Sequence, residues 1–197
     1  SRRRPLNLQL VDLHALLPEI ELALSQALRE RYQLISHRVP GQAWVMADAD
    51  ALKNSLLALA LTARDAMPDG GQLRLDTECV DVTDQPVLQA SELRPGAYLL
   101  LRFSDSGAGM DADVLSRVFD PFFTTKPVGQ GSGLGLSMVY GFARQSGGQV
   151  VMDSQPGVGT RVALYLPLAA APEPSVLQDE RPLIDDSNGA VVLHRVG

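Results

Sequence analysis

The chain has 197 residues, 45% of them hydrophobic and 20% charged, the make-up of one ordinary globular domain with room for a tail. Its net charge of −6 argues against a general nucleic-acid or membrane surface, since both need clustered positive charge. The single cysteine, Cys79, excludes an internal disulfide and a cysteine-based metal cluster, and it fits a reducing, cytoplasmic setting. The longest apolar run, residues 56–63, is far too short to span a bilayer. No signal-peptide pattern opens the chain, so a membrane anchor is expected only in a longer parent protein. The basic run Ser1-Arg2-Arg3-Arg4 reads as a solvated end, and residues 1–5 as a cloning edge or the end of a preceding helical hairpin.

In chain order, residues 6–10 alternate weakly and predict a short strand. Residues 12–32 carry Leu16, Leu17, Ile20, Leu22, Leu24 and Leu28 at helical spacing, with Pro18 in the first turns, where proline is tolerated. Two short strands follow over 33–39 and 43–47, broken by Pro40-Gly41. Asp48 is placed to cap a helix over 50–67, which Pro68-Asp69-Gly70-Gly71 ends. Residues 72–81 alternate as a half-buried strand, and 98–103 form a more apolar, central one. Residues 107–131 hold little regular structure, and a loop that long in a compact domain is a functional lid or disordered. A helix over 133–146 and strands over 149–153 and 159–166, joined by Gln155-Pro156-Gly157, complete the domain. Past Leu168 the composition turns to Ala, Pro, Asp and Glu, so residues 169–197 read as a linker or tail. The expected architecture is one α/β domain, a mixed sheet with helices on one face, ending near residue 168.

Three stretches carry chemistry. Asp105-Ser106-Gly107-Ala108-Gly109-Met110 directly follows the central strand. A carboxylate there can accept a hydrogen bond from an exocyclic amine, and the glycines remove Cβ atoms that would block a flat ring. On its own the pattern is more often just a tight turn. Gly129-Gln130-Gly131-Ser132-Gly133-Leu134-Gly135-Leu136 runs into a helix, and exposed backbone N–H groups at a helix start favour phosphate. It lacks the Gly-Lys-Ser/Thr ending of a P-loop and the preceding strand of a dinucleotide fingerprint. Between them, Val118-Phe119-Asp120-Pro121-Phe122-Phe123-Thr124-Thr125-Lys126 forms either an apolar flap carrying one cation or a hydrophobic loop packed on the core.

Taken together, these stretches resemble the ATP-binding domains of bacterial sensor histidine kinases, in the superfamily that also holds gyrase, Hsp90 and MutL. Asp105 to Met110 matches the first glycine box, Phe119 to Lys126 the phenylalanine box and Gly131 to Leu136 the second glycine box. Gly157-Val158-Gly159-Thr160 matches the small glycine turn before the last strand, and Ala63 to Gly71 is similar to the end of the asparagine-box helix. The resemblance covers residues 6–168 and implies a Bergerat-type fold: a two-layer α/β (α+β) sandwich with a mixed, largely antiparallel sheet and a long ATP lid. It further implies a site in which Asp105 contacts the adenine amine, with Thr160 near it, and Gly107 and Gly109 let the base approach. Lys126, Gly131, Gly133, Leu134 and Gly135 would hold the phosphates of ATP.

One box departs from the pattern. The family places two asparagines one helical turn apart, one of them carrying magnesium. In the register set by Ala63-Arg64-Asp65-Ala66-Met67, those positions are Ala58 and Thr62. Magnesium needs oxygen ligands in a tight octahedron; an alanine supplies none, and a threonine hydroxyl is a poor substitute. Asn54 lies one turn upstream of Ala58, about 6 Å along the axis. Two readings stay open: a site completed by water and Thr62, or weak or absent magnesium–ATP binding in a regulatory pseudokinase that acts through protein contacts.

The resemblance also implies partners, namely the protein's own dimerisation domain bearing the phospho-accepting histidine, and a response regulator or receiver domain. His14, His37 and His194 do not match the family's histidine box, so the acceptor is expected outside these residues; His14 is expected at a surface or an interface. Residues 189–196 have the apolar character of a receiver's first strand, as in hybrid kinases, or of a simple tail. A third reading, an ATPase or an anti-sigma-type serine kinase of the same superfamily, fits the Phe119–Lys126 box less well.

Overall fold

The computed structural model describes residues 4–83 and 92–174, with the backbone of 183–184 and 191–192. Its core is a five-stranded sheet in the order β2-β4-β5-β7-β6. The strands are β2 (Tyr32–His37), β4 (Gly71–Val82), β5 (Gly96–Asp105), β6 (Gln149–Gln155) and β7 (Gly159–Pro167). Only β2 and β4 run parallel; the other three pairings are antiparallel. The sheet is therefore mixed and largely antiparallel, as expected. A separate antiparallel pair, β1 (Gln9–Asp12) with β3 (Trp44–Ala47), was not foreseen. The expected first strand at 6–10 begins three residues later, because Asp12 must pair with Trp44 and also cap the helix that follows.

Three helices cover one face. In α1 (Leu13–Leu28) the residues Leu13, Leu17, Ile20, Leu24 and Leu28 recur at three- and four-residue spacing and are fully buried. Leu22, off that stripe, is exposed. The helix stops four residues before the expected end. Arg29 turns to φ 64°, a left-handed conformation that glycine usually fills, and its N–H donates to the Ser25 carbonyl. In α2 (Ala49–Ala66), Leu52, Leu56, Leu59, Ala60 and Ala63 face the core. α2 lies between α1 and the C-terminal helix Gly135–Gln145, packing on both. The small residues Ala60 and Ala63 on its buried stripe allow close packing.

The apolar positions of β4 and β5 alternate toward this helical layer: Leu73 and Leu75, then Leu99, Leu101 and Phe103. Asp105 continues the second series, which points its side chain to the helical side at the strand's end. Leu168 still bridges to Val45, and the Ala169 N–H donates to the Trp44 carbonyl at 2.8 Å. His14 ties the start of α1 to two other elements, with Nδ1 2.7 Å from the Gly41 carbonyl and Nε2 3.2 Å from Thr77 Oγ1. Of the stretch 189–196, only Val191–Val192 is among the described residues, and it pairs antiparallel with Leu183–Ile184; the rest of that expectation, and His194, lie outside them.

Asp48 is the best-tied helix cap. One carboxylate oxygen accepts from the Ala51 N–H and the other from the Asn7 N–H, both at 3.0 Å. These donors, Ala51 first, hold its carboxyl below the usual aspartate range. A depressed folded-state pKa contributes stability above the unfolded carboxyl's range and loses it as pH falls through the folded value. Asp48→Ala is therefore expected to cost about 1 kcal/mol at neutral pH. The gap should shrink in acid; urea midpoints that coincide at neutral pH would contradict the cap.

Candidate functional site

The site is built where β5, the β6–β7 turn and the end of α2 converge. Asp105 ends β5, paired with Leu73 on one side and Thr160 on the other. Its Oδ1 accepts from the Gly107 N–H at 2.8 Å. Burial is the largest influence on its carboxyl and raises the pKa, while the N–H groups of Gly107 and Thr160 pull it back down. A carboxylate offers about four lone-pair sites, so acceptor capacity remains for a ligand.

Around it the main chain packs on itself. A Cβ at Gly107 would lie 2.6 Å from the Ala66 carbonyl oxygen, and the Ala108 N–H donates to that same oxygen at 2.9 Å. A Cβ at Gly109 would collide with the Gln155 carbonyl, and one at Gly159 with the Asp105 carbonyl; both glycines have positive φ. Ser154 closes the cluster: its hydroxyl lies 2.8 Å from Thr160 Oγ1 and accepts from the Met110 N–H at 2.8 Å. Asp105, Gly107, Gly109 and Thr160 thus form one group. A groove of about 330 Å³ touches this group only at its edge: Gln72, Arg74, Ser104 and Arg161, which line it with Asp105, Gly159 and Thr160, alternate to the sheet face away from the helices.

The second group lies along the C-terminal half of α2, at Ala58 and Asp65. A short helix, α3 (Ala112–Arg117), interrupts the stretch expected to be irregular. Asp111 caps it by accepting from the Val114 N–H at 2.9 Å. The chain then forms the lid and enters α4 (Gly135–Gln145). The Leu134 cap position of α4 carries no side-chain cap bond, which leaves N–H groups of its first turn without a side-chain partner. Gly133, at φ +64°, accepts from the Phe122 N–H at 2.9 Å. A Cβ at Gly133 would run into the Phe122 backbone, which is itself at φ 67°. A Cβ at Gly131 would sit 3.0 Å from both Lys126 Cδ and Thr124 Oγ1, so the lid folds back on itself.

The phenylalanine stretch divides between its two readings. Val118 is buried and Phe119 packs on the core and beside Tyr140, ring centroids 5.6 Å apart. Phe123 lies under the Arg117 guanidinium at 4.5 Å, while Phe122 is 74% exposed. Lys126 Nζ forms an ion pair with Asp65, which also meets Arg64.

The helix α2 connects the two groups. Its Ala66 carbonyl meets the first, and its Ala58 Cβ would lie 3.7 Å from a Cβ at Gly135 in the second. Ser154, the Ala66 carbonyl and the Asp65–Lys126 pair were not singled out as a unit by the sequence. Ser154 falls just beyond the strand predicted to end at 153, and the other two need the tertiary fold.

A mixed sheet with one helical layer, a carboxylate at the end of its central strand and glycine-lined main chain around it defines a nucleotide-binding ATPase domain. The family model described as histidine kinase-, DNA gyrase B-, and HSP90-like ATPase matches residues 47–170, and the chain belongs to that family. It is 40% identical over 169 residues to the sensor kinase CckA of Brucella abortus, covering 85% of this chain and 18% of the relative. It is 33% identical over 164 residues to the sensor histidine kinase ZraS of Escherichia coli K12, covering 83% and 32%. The chain thus spans less than a third of these relatives' lengths. Among solved structures, full-length ShkA in complex with AMPPNP superposes with a TM-score of 0.68 at 23% identity, covering 87% of this chain and 33% of that one. The mycobacterial sensor histidine kinase MprB gives 0.64 at 22%, covering 82% and 97%. The fold is that of histidine-kinase ATP-binding domains, and the relatives give no support to a module without catalysis.

Magnesium, which the resemblance implied, does not fit the residues present. Ala58 offers no oxygen, and the exposed Thr62 hydroxyl donates back to the Ala58 carbonyl at 2.9 Å. Asn54 is exposed one turn away, and Asp65 is already paired with Lys126. Among the described residues, no group of three or more His, Cys, Asp or Glu is placed to hold a metal.

The raised pKa of Asp105 has a stability consequence. Such a group contributes stability in acid that is lost as pH rises through the folded value. Asp105→Asn keeps an acceptor for Gly107 but never ionises. Without nucleotide, the variant is expected to melt at or above the wild-type temperature at neutral pH, and the gap should close in acid. A variant that melts clearly lower at neutral pH would mean that the charge is compensated in the empty pocket.

Proposed function

We propose that residues 6–168 bind ATP between Asp105 and the lid, and present its γ-phosphate to a histidine on a separate dimerisation domain of a two-component sensor kinase. The observation that carries this reading is the half-buried Asp105 carboxylate, held by the Gly107 N–H at 2.8 Å among glycines that leave the main chain bare. In this reading Asp105 accepts the adenine amine, Thr160 stands beside it, and Gly107 and Gly109 make room for the ring. Lys126, Gly131, Gly133 and Gly135, with Leu134 as the cap of α4, surround the phosphates, where an uncapped helix start favours negative charge. Family membership and the sensor-kinase relatives support the assignment.

From the acceptor histidine the phosphoryl group would pass to a response regulator or receiver domain, the partners of two-component kinases. The ATP supply and the single exposed Cys79 are consistent with a cytoplasmic position. Among the described residues no helix is long and apolar enough to cross a membrane.

Asp105→Asn is expected to abolish detectable ADP binding by calorimetry, because the amide nitrogen now faces the adenine amine donor to donor in one rotamer and the charge is gone in the other. Unchanged affinity would remove Asp105 from the reading. The 197-residue chain alone should acquire no phosphate from labelled ATP, whereas a supplied dimerisation domain should become labelled; label on His14 or His37 would contradict it.

A further inference from the structure

Among its described residues the pocket lacks side chains placed to hold a metal, yet it holds a cation of its own. Lys126, from the lid, forms an ion pair with Asp65 on α2. Asp65 lies three residues after Thr62, so the two share a helix face within about one turn. The ammonium is thereby anchored beside the position from which a metal ligand would have to reach. Resting on the reading of an adenine nucleotide pocket, we infer that this domain binds its nucleotide without a divalent cation, with Lys126, moored by Asp65, supplying the positive charge next to the phosphates.

Three physical points support this. A lysine ammonium has three donors and no acceptor, so it bonds phosphate oxygens directly and disfavours a second cation at the same place. Asp65, the one carboxylate on this face of α2 near the lid, is neutralised by that lysine and by Arg64. Thr62 spends its proton on the Ala58 carbonyl, which fixes the hydroxyl against the helix, whereas magnesium demands near-ideal octahedral geometry from its oxygen ligands. The Ala58 methyl then leaves an apolar wall opposite Gly135. The lid itself is positioned by main chain, through the Phe122 N–H on the Gly133 carbonyl, so Lys126 is delivered without help from a metal.

The test is calorimetry of ADP binding to the 197-residue chain in EDTA and in excess magnesium chloride, with folding followed by circular dichroism. The dissociation constants are expected to agree within about threefold, and Lys126→Ala should weaken binding by about tenfold or more in EDTA. Thr62→Asn, at an exposed position, and the pair Ala58→Asn with Thr62→Asn should each make binding tighter with magnesium than without. Wild-type binding at least about tenfold tighter with magnesium would overturn the inference and leave the nucleotide reading intact. So would Lys126→Ala binding as well as wild type in EDTA, or folded, ADP-binding asparagine variants that remain indifferent to magnesium. Absence of ADP binding by the folded wild type in both conditions would overturn the inference and the nucleotide reading together.

Discussion

Backbone meeting backbone without an intervening Cβ is the constraint on which the pocket depends. Gly159 lets the β6–β7 turn reach the Asp105 carbonyl, Gly109 lets the loop after β5 reach Gln155, and Gly107 lets it reach Ala66. Each approach is tighter than any L side chain allows, so β5, the β6–β7 turn and α2 are locked at one point. The register Asp105↔Thr160 then decides which way the carboxylate faces. A slip of one residue would turn Asp105 to the open face of the sheet. The charge is placed by strand pairing, and its solvation by the close main chain around it.

The helix α2 serves the two halves of the pocket by different means. To the first it offers the Ala66 carbonyl, with the small Ala66 Cβ beside Gly107. To the second it offers side chains, at Ala58, Thr62 and Asp65. Substitutions at Ala58, Thr62 and Asp65 therefore act on the lid side, whereas the Asp105 side meets α2 only at its end, through the Ala66 carbonyl and Cβ. That separation explains how a chain with a regular glycine cluster, and with sensor-kinase relatives at 40% and 33% identity, carries no asparagine at either expected position.

Much of this was legible in the sequence because the signals are local. Glycine at positive φ, as at Gly109, Gly133 and Gly159, answers a local backbone need that survives in any context. The Asp48 cap and the apolar stripe of α1 follow from spacing alone. The misses are features that neighbours in space create. Both strands of the β1–β3 pair were expected, but their pairing joins segments on either side of α1, and the parallel match of β2 with β4 spans a whole helix between them. Helix α3 is only six residues long, and its Asp111 cap was hidden in a stretch dominated by glycines. The Lys126–Asp65 pair joins groups 61 positions apart, so no pattern in the sequence could have paired them.

The function of the pocket turns on Asp105 recognising a base through its exocyclic amine. The most direct measurement compares ADP with N6,N6-dimethyl-ADP, which has the same ring and phosphates but no amine hydrogen to donate. ADP should bind, and the dimethyl analogue should bind at least about a hundredfold more weakly, since a half-buried acceptor loses its partner. Equal affinity for the two would contradict it and place the base elsewhere.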